Sequence, residues 1–171
     1  MTEQAEIVAE RAGVVAGSSQ YLTFLLGTEQ YGVEILRVQE IRGYSAVTPI
    51  PNTPAFIRGV INLRGTVVPV VDLRAKFSME ATEYNKFTVI IVVTVGVRVI
   101  GLVVDAVSDV LDIPAAEIRT APDLGVRVDT RFISGMATVG DRMTVLLDIE
   151  RLLSDDEVAA LGSVSEKETL Q

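Results

Sequence analysis

The chain has 171 residues, 49% of them apolar and mostly valine, isoleucine and leucine, with 5% aromatic residues and a formal net charge of −8. It contains no cysteine and no histidine, which removes disulfides, thiolate metal sites, cysteine nucleophiles and the commonest general base. Most of the negative charge sits at the two ends (Glu3, Glu6 and Glu10; Asp155, Asp156, Glu157, Glu166 and Glu168), so the nearly neutral body lacks the basic face that a nucleic-acid binder needs.

Taken in order, residues 1–19 are rich in Ala and Glu and read as a flexible leader. Tyr21–Leu26 and Tyr31–Ile35 read as a hairpin turned at Gly27–Gln30, followed by one helical turn near Leu36. Pro49, Pro51 and Pro54 keep the next stretch extended. Thr53-Pro54 then looks like a cap and first position for a short helix over Ala55–Arg58, closed by Gly59. Arg64-Gly65 is a turn signal, and Thr66–Leu73 is rich in β-branched residues. Pro69 within that strand has no N–H to donate, so the strand should lie at an edge or carry a bulge. Phe87–Val95 is a continuous apolar run of strand length, reversed at Gly96 into Val97–Val104. Gly140-Asp141 turns the chain into Met143–Ile149. Ser154–Glu157 forms a capping box for a short C-terminal helix ending near Leu161.

The chain also repeats itself. Shifted by 76 positions, Gly59–Phe77 lies over Gly135–Leu153, with Gly59 on Gly135 and Asp72 on Asp148. Shifted by 69, Gly32–Ile41 lies over Gly101–Val110; a seven-residue insertion near Arg119–Gly125 explains the difference. Two repeats with some five short strands each imply a mainly β protein of two small barrels. The first module spans 20–84 and the second 85–153, followed by a short helix and acidic tail over 154–171. A unit of that size has too little interior to stand alone, so the two should share a core.

Little in the sequence points to chemistry. No phosphate loop or dinucleotide fingerprint is present, and no cofactor or metal site is expected. The best enzymatic case is the carboxylates Asp72, Asp105, Asp109 and Asp148, all placed after apolar strands. Since Asp72 and Asp148 are repeat equivalents, a structural role capping strand ends explains both. Glu40, among apolar residues, and Arg64, at its turn, fit either a structural ion pair or the rim of a binding groove; on the residues alone the structural pair is favoured. No apolar run approaches the roughly 18 residues of a membrane span, and the start lacks the features of a signal peptide. A cytoplasmic protein is expected.

At Tyr31–Tyr44, Asn52–Gly59, Asn62–Gly65, Val68–Leu73, Val107–Leu111 and Gly140–Met143 the chain closely resembles the CheW family of bacterial chemotaxis coupling proteins, above all its enteric and proteobacterial members. The resemblance runs from about Gln20 to Leu161, as one CheW-like domain. It implies two intertwined five-stranded SH3-like β-barrels and no catalytic activity. It also implies an adaptor, monomeric alone, that bridges the cytoplasmic tips of methyl-accepting chemotaxis receptors and the histidine kinase CheA. The family alternates with the kinase's regulatory domain in rings that knit receptor arrays at the inner membrane, without inserting into it. Carried over by position, the receptor-facing groove is Val38, Glu40, Gly59, Arg64, Val89, Gly101, Val107 and Val110. The ring contact with the kinase is Asp123, Leu124 and Val126, where close members carry phenylalanine in place of Leu124. A kinase regulatory domain or a receiver fusion is disfavoured, because the chain has neither kinase motifs nor receiver-like β–α alternation.

Overall fold

Among the described residues the chain forms ten strands, most of them apolar runs bounded by turn signals. A computed structural model describes residues 18–119 and 132–153. The expected leader, the Asp123/Leu124/Val126 loop and the C-terminal helix lie outside the described residues, apart from the last positions of the leader. The strands are β1 (Ser18–Leu26), β2 (Glu29–Glu34), β3 (Val38–Gly43), β4 (Ile57–Leu63), β5 (Thr66–Asp72), β6 (Val89–Val95), β7 (Arg98–Val104), β8 (Ala106–Pro114), β9 (Ile133–Val139) and β10 (Arg142–Leu147). A single helical turn, α1 (Leu73–Lys76), follows β5, and 3-10 turns cover Ile35–Arg37 and Ala115–Glu117.

The strands make two five-stranded sheets, ordered β8-β1-β2-β10-β9 and β3-β6-β7-β5-β4. At the offsets of the sequence repeat, β1–β5 correspond to β6–β10, and the first order turns into the second strand for strand. Each sheet combines the opening hairpin of one repeat with the last three strands of the other. The repeats and the sheets therefore divide the chain differently, and the chain crosses between sheets before β3 and again before β8. The equivalence extends to single hydrogen bonds. Asp72 N–H donates to Phe56 O, and Asp148 N–H donates to Phe132 O, both at 2.8 Å. Lys76 lies over both of those repeat-related rings, at 4.6 and 5.0 Å from their centroids.

Apolar alternation explains where the core lies. On β6, Ile91 and Val93 face the space between the sheets, while Ile90 and Val92 face a smaller cluster behind. The shared cluster holds 21 buried side chains against seven and four in the clusters behind the two sheets, so the centre of the core is the seam. The expectation of a common core matches this arrangement.

Two local expectations are corrected. No helix forms over Ala55–Arg58: Ile57 opens β4, pairs with Val71 and is buried in the seam. One turn of helix has a costly nucleus and would bury less. Gly59 serves a bulge rather than a helix end; its φ is 145°, and a Cβ there would come within 2.0 Å of Thr48 O. Thr53 Oγ1 donates to Ile50 O instead of capping. Pro69 stands on an inner strand rather than an edge. Its missing N–H is tolerated because the parallel ladder between β5 and β7 begins only at Val70, opposite Gly101. The Arg64-Gly65 turn forms as read, with φ of 51° and 88° at its two central residues, as a two-residue hairpin requires.

Because the sheets exchange strands and share the larger core, neither can unfold alone. Phe24 is fully buried and stacks 6.0 Å from Tyr31 in the seam. Phe24→Ala should cost about 3–5 kcal/mol, and Ile90→Val behind the other sheet about 0.5–1.5 kcal/mol. Urea denaturation of both variants should show one transition with an unchanged slope. A separate transition for either sheet would contradict the shared core.

Candidate functional site: an apolar rim at the seam

The sheet edges next to the crossings are β3 and β8, and they carry half of the expected groove residues, Val38, Glu40, Val107 and Val110. Val38 on β3, Val89 on β6, and Val107 and Val110 on β8 are half-buried, and all four rest on the shared core cluster. All four thus keep part of their surface outside one apolar core. On β8, Val107 pairs with Phe24 and Val110 with Leu22 across the ladder to β1, which fixes their register.

Glu40 and Arg64 meet: Arg64 Nη1 donates to Glu40 Oε2 at 3.0 Å, with the side chains 19% and 67% exposed. Arg42 adds a second cation 3.6 Å from the other Glu40 oxygen. The ion pair that the residues allowed therefore exists, but its arginine stands largely in water. Arg64 also occupies a left-handed conformation that glycine or asparagine adopts more easily. Asn62 Oδ1 supports the turn by accepting from Gly65 N–H at 2.8 Å.

Gly59 and Gly101 are buried and contribute shape rather than contact. A Cβ on Gly101 would stand 2.7 Å from Ile90 Cγ2, and one on Gly59 would strike the Thr48–Pro49 backbone. Asp123, Leu124 and Val126 lie outside the described residues.

The carboxylates that made the best enzymatic case are occupied by the fold. Asp72 is buried and caps α1, its Oδ1 accepting from Arg74 N–H at 2.9 Å and Ala75 N–H at 3.3 Å. Its Oδ2 accepts from Arg58 Nε and Nη2, at 3.2 and 3.1 Å, and from the Tyr84 hydroxyl at 2.5 Å. Burial, with that hydrogen bond and the nearby negative charge, pushes the Tyr84 phenol well above its ordinary range. Asp105 accepts from Arg74 Nε at 2.8 Å and Nη2 at 2.6 Å, and from Gly27 N–H at 2.7 Å. Burial alone would raise its pKa, but these donors and the Arg74 charge outweigh it and hold the carboxyl low. Asp148 caps its own turn through Glu150 N–H at 3.1 Å, and Asp109 accepts from Val110 N–H at 2.8 Å. Sequence reasoning found Asp72 and Asp105 but missed their partners Arg58, Arg74 and Tyr84, since nothing local pairs Arg74 with a residue 31 positions away. Among the described residues no cluster could hold a metal ion, and no helix is long and apolar enough to cross a membrane.

Two interlocked β-sheets with a valine rim, a charge pair at its edge and carboxylates taken up by structure define a binding module. The CheW-like domain model matches residues 20–157. The chain is 50% identical over 158 residues to the chemotaxis protein CheW of Klebsiella aerogenes, covering 92% of this chain and 95% of that one. It is 39% identical to CheW of Rhizobium meliloti, over 82% of this chain and 91% of the relative. The crystal structure of a scaffolding protein, TtCheW from Thermoanaerobacter tengcongensis, superposes with a TM-score of 0.76 at 34% identity, covering 81% of this chain and 90% of that one. The chain belongs to the CheW family of chemotaxis proteins.

With Arg64 two-thirds exposed, solvent screens the Glu40–Arg64 pair. A double-mutant cycle of Glu40→Ala and Arg64→Ala should give a coupling of about 0–1 kcal/mol in stability, falling further in salt. Coupling of several kcal/mol would mean a buried structural pair.

Proposed function

We propose that this chain is a non-catalytic chemotaxis adaptor that couples methyl-accepting chemotaxis receptors to the histidine kinase CheA, so that receptor signals control the kinase. The observation that carries the reading is the valine rim. Val38, Val89, Val107 and Val110 keep part of their apolar surface in water although the core beneath them is closed. A partner helix laid on that rim would gain about 25 cal/mol per Å² of apolar area buried, before ordering costs. Glu40 and Arg64 supply charge at its edge for orientation, and Gly59 and Gly101 hold the backbone that shapes it.

The second contact, with the kinase's regulatory domain in rings, is assigned to Asp123, Leu124 and Val126. An apolar residue between Pro122 and Gly125 has the chemistry of a small interface anchor. The chain acts in the cytoplasm as a monomer until recruited to receptor arrays at the inner membrane. The close relation to proteins named for chemotaxis and scaffolding supports this reading, as does the structural use of every carboxylate the sequence offered for catalysis.

Val110→Asp places a charge where the partner's apolar face would land. It should weaken binding of receptor cytoplasmic fragments by about 2 kcal/mol or more. Stability should fall less, because Val110 is only half-buried. Normal binding, measured by calorimetry, would assign the receptor to another surface. Leu124→Ser should leave stability and receptor binding unchanged while dispersing receptor arrays in cells. Intact arrays, or loss of receptor binding together with the arrays, would overturn the ring assignment.

A further inference from the structure

The two crossings between the sheets are closed by ion pairs that lie within one residue of equivalent positions and differ in strength. Ile35–Arg37 leads from β2 into β3, and Asp105 leads from β7 into β8. Arg37 reaches Glu150, beyond β10, and Asp105 reaches Arg74, beyond β5. At the repeat offsets Arg74 lies over Glu150, and Arg37 stands one residue beyond Leu36, the equivalent of Asp105, so the two clamps occupy neighbouring places in the repeat with their charges reversed.

The Asp105 clamp is sealed. It joins both carboxylate oxygens to Arg74, adds Gly27 N–H, and ties its own N–H to Leu25 O at 3.0 Å. Arg74 Nη1 also donates to Glu80 O at 2.8 Å, and the pair is 15% and 29% exposed. The Arg37 clamp is a single 2.8 Å contact with side chains 38% and 50% exposed. The strands beyond the clamps differ in the same sense. β8 pairs with β1 from Ala106 to Pro114 and buries Ile113. β3 is shorter and has no fully buried side chain, although both strands carry one register shift at equivalent places, between Val107 and Asp109 and between Val38 and Glu40.

We propose that β3, with its 3-10 turn, is a latch that opens independently of the rest of the protein. The Arg37–Glu150 pair holds it shut, and β8 is the fixed jaw. Because β3 carries Val38 and Glu40, a partner seated on the rim would close the latch; that consequence rests on the docking reading above, whereas the latch belongs to the chain alone. The physical basis is that local opening follows the least-buried, least-bonded element. An exposed pair is screened by salt, and a sealed bidentate one is not.

Hydrogen exchange on the full chain, read by NMR, tests this. Amides of β3 bonded to β6 should exchange about tenfold faster than those of β8 bonded to β1. Glu150→Gln and Arg37→Gln, both at exposed side chains, should each speed β3 exchange about threefold and leave β8 unchanged. Salt at about 0.5 M should speed β3 exchange in the unaltered chain and less so in the variants, where the Glu40 pairs on β3 are left to screen. Equal exchange in the two strands, or variants that speed both together, would overturn the latch. Adding receptor cytoplasmic fragment should slow β3 more than β8. If the asymmetry holds and the fragment protects neither strand, the latch stands and the docking reading falls.

Discussion

The apolar seam between the two sheets is the constraint on which everything else in this protein rests. A five-strand unit of some 70 residues encloses too little apolar volume to be stable alone, and each sheet here has only a small cluster behind it. Exchanging the opening hairpins of the repeats solves this by making the larger core common property. Leu22 and Phe24 from β1 then meet Leu102 and Val104 from β7 and Val145 and Leu147 from β10 in one cluster. The exchange also forces two crossings, before β3 and before β8.

At each crossing the chain leaves one sheet and becomes the edge of the other. Edge strands beside a seam can bury only part of their side chains, so valines at β3 and β8 are left on a rim with apolar surface still exposed. It is this surface on which the proposed partner contact rests. The same geometry makes the clamps at Asp105 and Arg37 the points where one sheet is tied to the other. Their difference in burial gives an internally repeated molecule two unlike jaws.

The polar side chains divide between these tasks. Asp72 and Asp105 have their carboxylate oxygens filled by backbone N–H groups, guanidinium groups and, for Asp72, a phenol, so they hold turns and crossings. Arg64 stands largely in solvent, in a backbone conformation that arginine does not favour, while Glu40 beside it is mostly covered.

The sequence by itself determined the strands β1, β2, β5, β6, β7 and β10, the turns at Arg64-Gly65, Gly96 and Gly140-Asp141, the duplication and the need for a common core. All of these depend on local pattern: β-branched runs, residues that tolerate positive φ, and a fixed offset between similar segments. It also placed Glu40 and Arg64 among the residues worth watching. Only the tertiary structure decided that the repeats exchange hairpins, that Pro69 sits on an inner strand, and that Ala55–Arg58 leads into a strand instead of a helix. Each of these turns on long-range pairing, such as Ile57 with Val71 or β1 with β8, whose gain in buried area exceeds the local preference. The Arg74–Asp105 and Arg58–Asp72–Tyr84 contacts were illegible for the same reason. Side chains far apart in the chain become neighbours only once the seam has closed and brought their strands together.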